Sequence, residues 1–361
     1  MWMRLVGRQR DRREHIVSAA DYFERVWDLA AVAAVAEGLH RCRFRMGPYR
    51  LECSFAGELM GPLMARALAH LREDAVGRVD IALRSFDSAS SGVAMPAPPW
   101  DRDAYLAKGA IRGWREGRYR AHYIHTQHVL QLMDVDTQRA IYWVQDPKFV
   151  PWWERVSPFR QILHWWACGK ELQPIHAGAV GLASGGVLIA GSSGAGKSTS
   201  TASCLRSPLG FAGDDYVLLD QEGESAIARS LYSTTKIVRA NLYRLPWLSE
   251  WVMNPEGGPD EKATIYVNET MPEKIVECFP IRAILMPRVT GKVETKIVAA
   301  TAGDAMRCVA PTPIFQLNGD LPGLMKKVAR LVRQTPAYWL EAGTDLEQIP
   351  LRIAELLEWR R

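Results

Sequence analysis

The chain has 361 residues, 48% hydrophobic and 24% charged, which is length enough for two domains and apolar content enough for a large core. This composition excludes a chain that is disordered throughout, and a net charge of +5, from 45 basic and 40 acidic residues, is too small to argue for nucleic acid as a partner. Six cysteines without a C-x-x-C pair read as reduced thiols in a cytoplasmic protein, and no apolar run approaches the ~20 residues of a membrane span.

The basic excess is local. "RLVGRQRDRR", residues 4–13, reads as solvated charge on a flexible end, and "LAAVAAVA", residues 29–36, as a helix rather than a signal peptide. Residues 86–103, rich in Ser, Pro and Ala, read as a loop. Residues 118–146 alternate apolar with polar positions around the break "DVDTQR", which predicts a β-hairpin. If that stretch is a strand, His122 and His128 share one face and His125 the other, so one metal ion does not easily collect all three. From Pro151 onward, Phe159, Ile162, Leu163, Trp166 and Ala167 recur at helical spacing. A domain boundary is placed near residue 150, with an accessory, substrate-recognition domain over 1–150 and a second domain over 151–361.

Past residue 175 the pattern changes. "IHAGAVGL", "GVLIAG", "YVLLD", "AIARSLYS", "KATIYVNE" and "IRAILMPRV" read as strands, and "LPGLMKKVARLVRQ" and "DLEQIPLRIAELLEWRR" as helices. Strands mixed with helices predict an α/β domain.

One stretch carries chemistry. Gly191, Ser192, Ser193, Gly194, Ala195, Gly196, Lys197 and Ser198 fill the pattern G-x-x-x-x-G-K-[ST], with a predicted strand before and a predicted helix after. Glycines let the backbone curl until successive N–H groups point inward as an anion nest, and the helix adds its positive end. Lys197 reaches β- and γ-phosphates, the Ser198 hydroxyl suits Mg²⁺, and Thr199 continues the binding segment. The implied cofactors are ATP and Mg²⁺. The next acidic residues, Asp214 and Asp215 in "GFAGDDYVLLD", precede an apolar run rather than follow one. Phosphoryl transfer asks two tasks of carboxylates, holding the metal and accepting the hydroxyl proton, and adjacent aspartates could divide them. The same Gly-Asp-Asp is also good turn chemistry.

"HAGAVGLASGGVLIAGSSGAGKST" followed by "FAGDDYVLL" resembles the HPr kinase/phosphorylase catalytic domain, and within it the HPr-kinase-like serine kinases of bacterial biosynthetic clusters such as those of lasso peptides. The resemblance covers roughly residues 160–350. It implies an α/β fold with a P-loop catalytic domain of the HPr kinase/phosphoenolpyruvate carboxykinase type, preceded here by a smaller α+β domain. It implies transfer of the ATP γ-phosphate to a serine hydroxyl. On this resemblance His176 lies near the phosphates, Asp214 is the general base and Asp215 its metal-side neighbour. The "R-G-x-G" type signature of HPr kinases is replaced by "LYSTTKIV", which argues against HPr as substrate and against the reverse phosphorylase activity. Lys236 in "STTK" is a phosphate or substrate clamp or a surface lysine; Arg239, Lys262 and Arg288 are weaker clamp candidates, each also readable as a surface ion pair.

The expected protein is thus a kinase acting on a hydroxyl-bearing peptide, protein or metabolite, with no nucleic-acid or membrane partner and with self-association left open. The alternatives are a P-loop ATPase or switch and a catalytically silent nucleotide-binding module. The sequence has no ABC-type "LSGGQ", no GTPase "NKxD" and no conventional Walker B strand, and Lys197, Ser198, Asp214 and Asp215 are all present, which argues against silence.

Overall fold

In a computed structural model, which describes residues 18–359 apart from 76, 222, 224, 311–318 and 320, the chain starts with helix α1 (Ala19–Glu37). The basic segment 4–13 lies outside the described residues. The Ser18 hydroxyl caps α1 by accepting from the Asp21 N–H, and Tyr22, Phe23, Val26, Ala30 and Ala33 form its buried stripe. That stripe covers one face of a six-stranded mixed sheet. Its strands are β1 (Leu39–Met46), β2 (Tyr49–Ala56), β3 (Ile81–Asp87), β4 (Tyr119–Ile124), β5 (Val129–Asp134) and β6 (Arg139–Val144), in the order β1-β2-β3-β6-β5-β4. Helix α2 (Met60–Ala65) follows β2.

Residues 118–146 form three strands rather than a single hairpin. The second break is "HTQH", where His128 has a positive φ of 51°. His122 is therefore on β4, while His125 and His128 sit in the turn. The helix expected after Pro151 is also two helices, α3 (Trp152–Val156) and α4 (Arg160–Ala167). Pro158 explains the split, because its ring disfavours helical geometry at Ser157 and removes a donor. Ser157 is accordingly non-helical, and Phe159 enters α4 with φ 57°.

The second sheet has nine strands. They are β7 (Leu172–Ile175), β8 (Gly178–Leu182), β9 (Gly185–Ile189), β10 (Gly210–Gly213), β11 (Val217–Asp220), β12 (Ile227–Arg229), β15 (Cys278–Val289), β16 (Lys296–Ala300) and β17 (Ala337–Ala342). The path runs β10-β8-β9-β15-β12-β11-β7, with β17 beside β15 and β16 beside β17. β13 (Thr234–Ile237) and β14 (Ala263–Tyr266) make a separate antiparallel pair. The helices are α5 (Lys197–Ser203), α6 (Ala302–Val309), α7 (Leu321–Gln334) and α8 (Gln348–Trp359). β7, β10, β13, β16, α6 and β17 are absent from the strands and helices expected from sequence; β17 is six residues wedged between two strong helical patterns.

Alternation along β9 sorts the two faces. Val187 and Ile189 pack with Leu205, Ile349 and Ile353 towards α5 and α8, whereas Leu188 packs with Ala305, Leu324 and Leu331 towards α6 and α7. The sheet is thus covered by helices on both sides. The long strand β15 is its spine, pairing β12 at one end and, in parallel, β9 and β17 at the other.

A third core cluster crosses the middle of the chain. Phe44, Leu51 and Phe55 of the first sheet pack in one cluster with Phe159, Trp165 and Trp166 of the α3–α4 region and with Tyr216 and Tyr232. Burying two tryptophans there stabilises both halves together, since each aromatic removes roughly 150–250 Å² from water. A fragment of residues 151–361 is therefore expected to expose this surface, bind an apolar dye and melt below the full chain. Equal melting temperatures for the two would show that the halves do not depend on the shared cluster.

Candidate functional site

The glycine-rich loop leaves β9 at its C-terminal end and enters α5, the strand–loop–helix setting the motif needs. Gly194 and Gly196 have φ of +82° and +101°, so the curl of the loop depends on residues without a Cβ. Gly178 on β8 is required for another reason: a Cβ there would lie 2.2 Å from Thr201 Oγ1, so α5 sits down directly on the strand. Ser192, Ser193 and Gly194 are exposed at the tip, and Ser198 and Thr199 are half-buried on the first turn of α5.

Lys197 folds back over the loop. Its Nζ donates to the carbonyls of Gly191 at 2.7 Å and Ser192 at 3.1 Å, and the residue is only 7% exposed. Burial pulls its pKa down, and the charges of Asp214 and Asp215 oppose that fall. The ammonium is thus fixed above the loop by short-range geometry, with the aspartates favouring its charged form against burial.

Asp214 and Asp215 lie between β10 and β11, and their environments differ. Asp215 Oδ1 accepts from His176 Nε2 at 2.9 Å. Its Oδ2 accepts from Lys236 Nζ at 2.5 Å and from the Ser157 hydroxyl at 3.0 Å. Burial alone would raise this carboxyl, but Lys236 and His176 outweigh it and hold the pKa well below the usual carboxylate range. Asp214 Oδ2 accepts from Thr235 Oγ1 at 2.9 Å and from the Lys236 backbone N–H at 3.1 Å. Asp214 Oδ1 is buried and has no hydrogen-bond partner among the described residues. Burial pushes the Asp214 carboxyl up, and the neighbouring Asp215 charge adds to the push against the Lys236 N–H and Thr235. One aspartate is firmly ionised and engaged; the other is strained towards taking a proton.

Lys236 is itself 6% exposed on β13, lowered by burial and supported by Asp215, with its Nζ 5.8 Å from the centre of the Trp152 ring. Lys262 on the neighbouring segment adds positive field to both Lys197 and Lys236. The structure thus brings His176, Lys197, Asp214, Asp215, Lys236 and Lys262 into one electrostatic group.

Arg288 is not part of it. Its strand neighbours Pro287 and Val289 are what a Cβ added to Gly196 would meet, so alternation turns Arg288 to the opposite face, where it pairs with Glu341 and lies over Trp339. Arg239 binds carbonyls of Asn254, Pro255 and Glu261 and fixes that loop. Sequence reasoning missed Ser157 and Thr235. Thr235 adjoins the Lys236 already singled out, whereas Ser157 is masked by the helical pattern around it.

No protein-family model and no curated protein matches the chain. Among solved structures it is similar to the Hpr(Ser) kinase/phosphatase from Coxiella burnetii, at 13% identity over 52% of this chain and 94% of that one, with a TM-score of 0.29. A likeness of that size says nothing of activity. Among the described residues no helix is long and apolar enough to cross a membrane, and all six cysteines are free thiols.

Two isosteric substitutions should separate the aspartates. Asp215→Asn leaves Lys236 buried without its counter-charge and should cost about 3–5 kcal/mol. Asp214→Asn keeps an acceptor for Thr235 and the Lys236 N–H while removing a charge that burial and Asp215 disfavour more than its partners favour it, so its melting temperature should be unchanged or higher. Equal destabilisation of the two variants in denaturant titrations would contradict this division. Because the folded pKa of Asp215 is depressed, its stabilisation is present above the unfolded carboxylate value of ~3.9 and is lost as pH falls through the folded value. The Asp215→Asn variant should lack that acid limb.

Proposed function

We propose that the protein is an ATP-dependent kinase that transfers the γ-phosphate to a serine hydroxyl of a peptide, protein or small molecule. The observation that carries this reading is a loop lysine lying in the field of a buried aspartate whose one unpartnered oxygen belongs to a carboxyl raised by its surroundings. An ATPase or a switch has to position only water; a base buried this deeply suits an acceptor that brings its own hydroxyl into a dry site.

In this reading the loop N–H groups of residues 191–199 and the Lys197 ammonium hold the β- and γ-phosphates. The acceptor's hydroxyl proton moves to Asp214 Oδ1 while the hydroxyl oxygen bonds to the γ-phosphorus. The bond from that phosphorus to the β–γ bridging oxygen breaks, and ADP leaves. Thr235 and the Lys236 N–H hold Oδ2, which leaves Oδ1 as the free face of the carboxylate. Asp215 anchors Lys236 and His176, so that two donors face the transferring group with fixed orientation.

The oxygens present suit Mg²⁺, a hard cation that takes few protein ligands and keeps waters and phosphate oxygens. Ser198 supplies a hydroxyl at the head of α5. Asp215, expected from sequence to be the metal-side carboxylate, already has both oxygens engaged by His176, Lys236 and Ser157. The geometry therefore favours Ser198 as the direct protein ligand and Asp215 as the residue that orients the cations. When bound, the metal neutralises charge on the β- and γ-phosphates.

Labelled ATP tests the reading, since label passes to a hydroxyl acceptor for a kinase, to water for an ATPase and nowhere for a silent module. Lys197→Ala should weaken ATP binding by about 2–3 kcal/mol, as expected for charge-assisted contacts, and unchanged affinity in calorimetry would remove the loop from the argument. Asp214→Asn should slow transfer ~10²–10⁴-fold with ATP affinity nearly intact. Full activity in that variant would pass the proton-acceptor role to His176.

A further inference from the structure

Between the two halves of the chain lies a cavity of about 620 Å³. One wall comes from residues 106–126 of the first half and the other from α3 and α4. Its size lies in the range that encloses a small ligand or one large side chain.

Its walls hold one carboxylate, Glu154, the imidazole of His122 and aromatic faces, beside the cations Arg160 and Lys108. Glu154 is 1% exposed, and its contacts are long: Gln131 Nε2 at 3.3 Å and Arg160 Nε at 3.5 Å. Burial raises its carboxyl despite Arg160 and Gln131, so the charge is under-compensated. His122 is 8% exposed and its Nε2–H donates to the Lys108 carbonyl at 2.8 Å. Burial lowers its pKa to about 4, so the ring is neutral and Nδ1 is a bare acceptor. That Nδ1 has no hydrogen-bond partner among the described residues. Tyr123 and Trp153 add ring surface, and His125 packs edge-on against Tyr123 with centroids 4.7 Å apart.

We propose that this cavity is a cation site, taking a primary ammonium or guanidinium group against the Glu154 carboxylate, His122 Nδ1 and the rings of Tyr123 and Trp153. Buried acceptors ask for a donor, a carboxylate with only long contacts asks for positive charge, and aromatic faces attract the same kind of group. Arg160 also lines the cavity, but its charge is divided between Glu154 and the field of Asp215, and it hydrogen-bonds Tyr216. Lys108 is exposed, and its ammonium is screened by water.

The site adjoins the aspartate cluster through one short segment. Trp153 and Glu154 face the cavity, Trp152 faces Lys236, and Ser157 bonds Asp215. A cationic group held here would act as the handle of the phosphoryl acceptor, such as an arginine or lysine near the reacting serine. That role rests on the kinase reading; the cation site does not.

The test uses the full-length protein and calorimetric titration with the Nα-acetyl methylamides of arginine, lysine, norleucine and glutamate. Arginine or lysine should bind saturably, with norleucine and glutamate at least about tenfold weaker. Glu154→Gln should weaken arginine binding by about tenfold or more. Because Glu154 is buried, Trp153→Leu, at a half-exposed position, provides a second variant with the same expected direction, and thermal melts confirm that both are folded. ATP affinity, measured on the same samples, should stay at the wild-type value in both variants. Equal binding of norleucine or glutamate, no saturable binding of either cation, or undiminished binding by both folded variants would overturn the proposal. Cation binding by a protein that transfers no phosphate would sink the kinase reading and leave the site standing.

Discussion

The carboxylate of Asp215 is the constraint on which the centre of the molecule depends. It is a buried anion joined to His176 from the β7–β8 junction, to Lys236 from β13 and to Ser157 from the break between α3 and α4. Each of those segments comes from a different part of the chain. Taking a charge out of water costs several kcal/mol, and only simultaneous, well-aligned partners offset it. The three segments are therefore positioned relative to one another by the need to satisfy a single side chain.

Asp214, its neighbour in sequence, shows the opposite balance. Its second oxygen has no partner among the described residues, and burial together with the Asp215 charge raises its pKa. Groups pushed apart in this way are how a fold keeps one carboxylate ionised and makes its neighbour basic. The same asymmetry recurs in the lysines. Lys236 is neutralised by a direct contact, whereas Lys197 is held by carbonyl dipoles of its own loop and feels the aspartates at longer range.

The shared aromatic core ties this electrostatic cluster to the first half of the chain. Phe159, Trp165 and Trp166 anchor the α3–α4 segment against Phe44, Leu51 and Phe55. That segment also delivers Ser157 to Asp215 and Trp152 to Lys236. Apolar packing over a large area is poorly directional, but it fixes the backbone well enough for the short polar contacts to be made.

The local shape of the loop could be read without coordinates, because the turn at Gly194 and Gly196 and the helix that opens at Lys197 depend on spacing along a few residues and on backbone freedom. The strands with strong apolar runs, such as β9, β11 and β15, were legible for the same local reason. Where one local signal covered another, the reading failed: the helical pattern from Pro151 hid the break that Pro158 imposes, and the alternation through residues 118–146 ran across the turn at "HTQH". The order of strands, the pairing of β15 with β17 and the exclusion of Arg288 from the loop's face depend on contacts between distant residues, which no local period encodes. So does the difference between Asp214 and Asp215. Two adjacent aspartates are chemically identical in a sequence, and only the tertiary structure decides which meets a lysine, a histidine and a serine and which keeps a bare oxygen, because desolvation and partner geometry are properties of the folded chain.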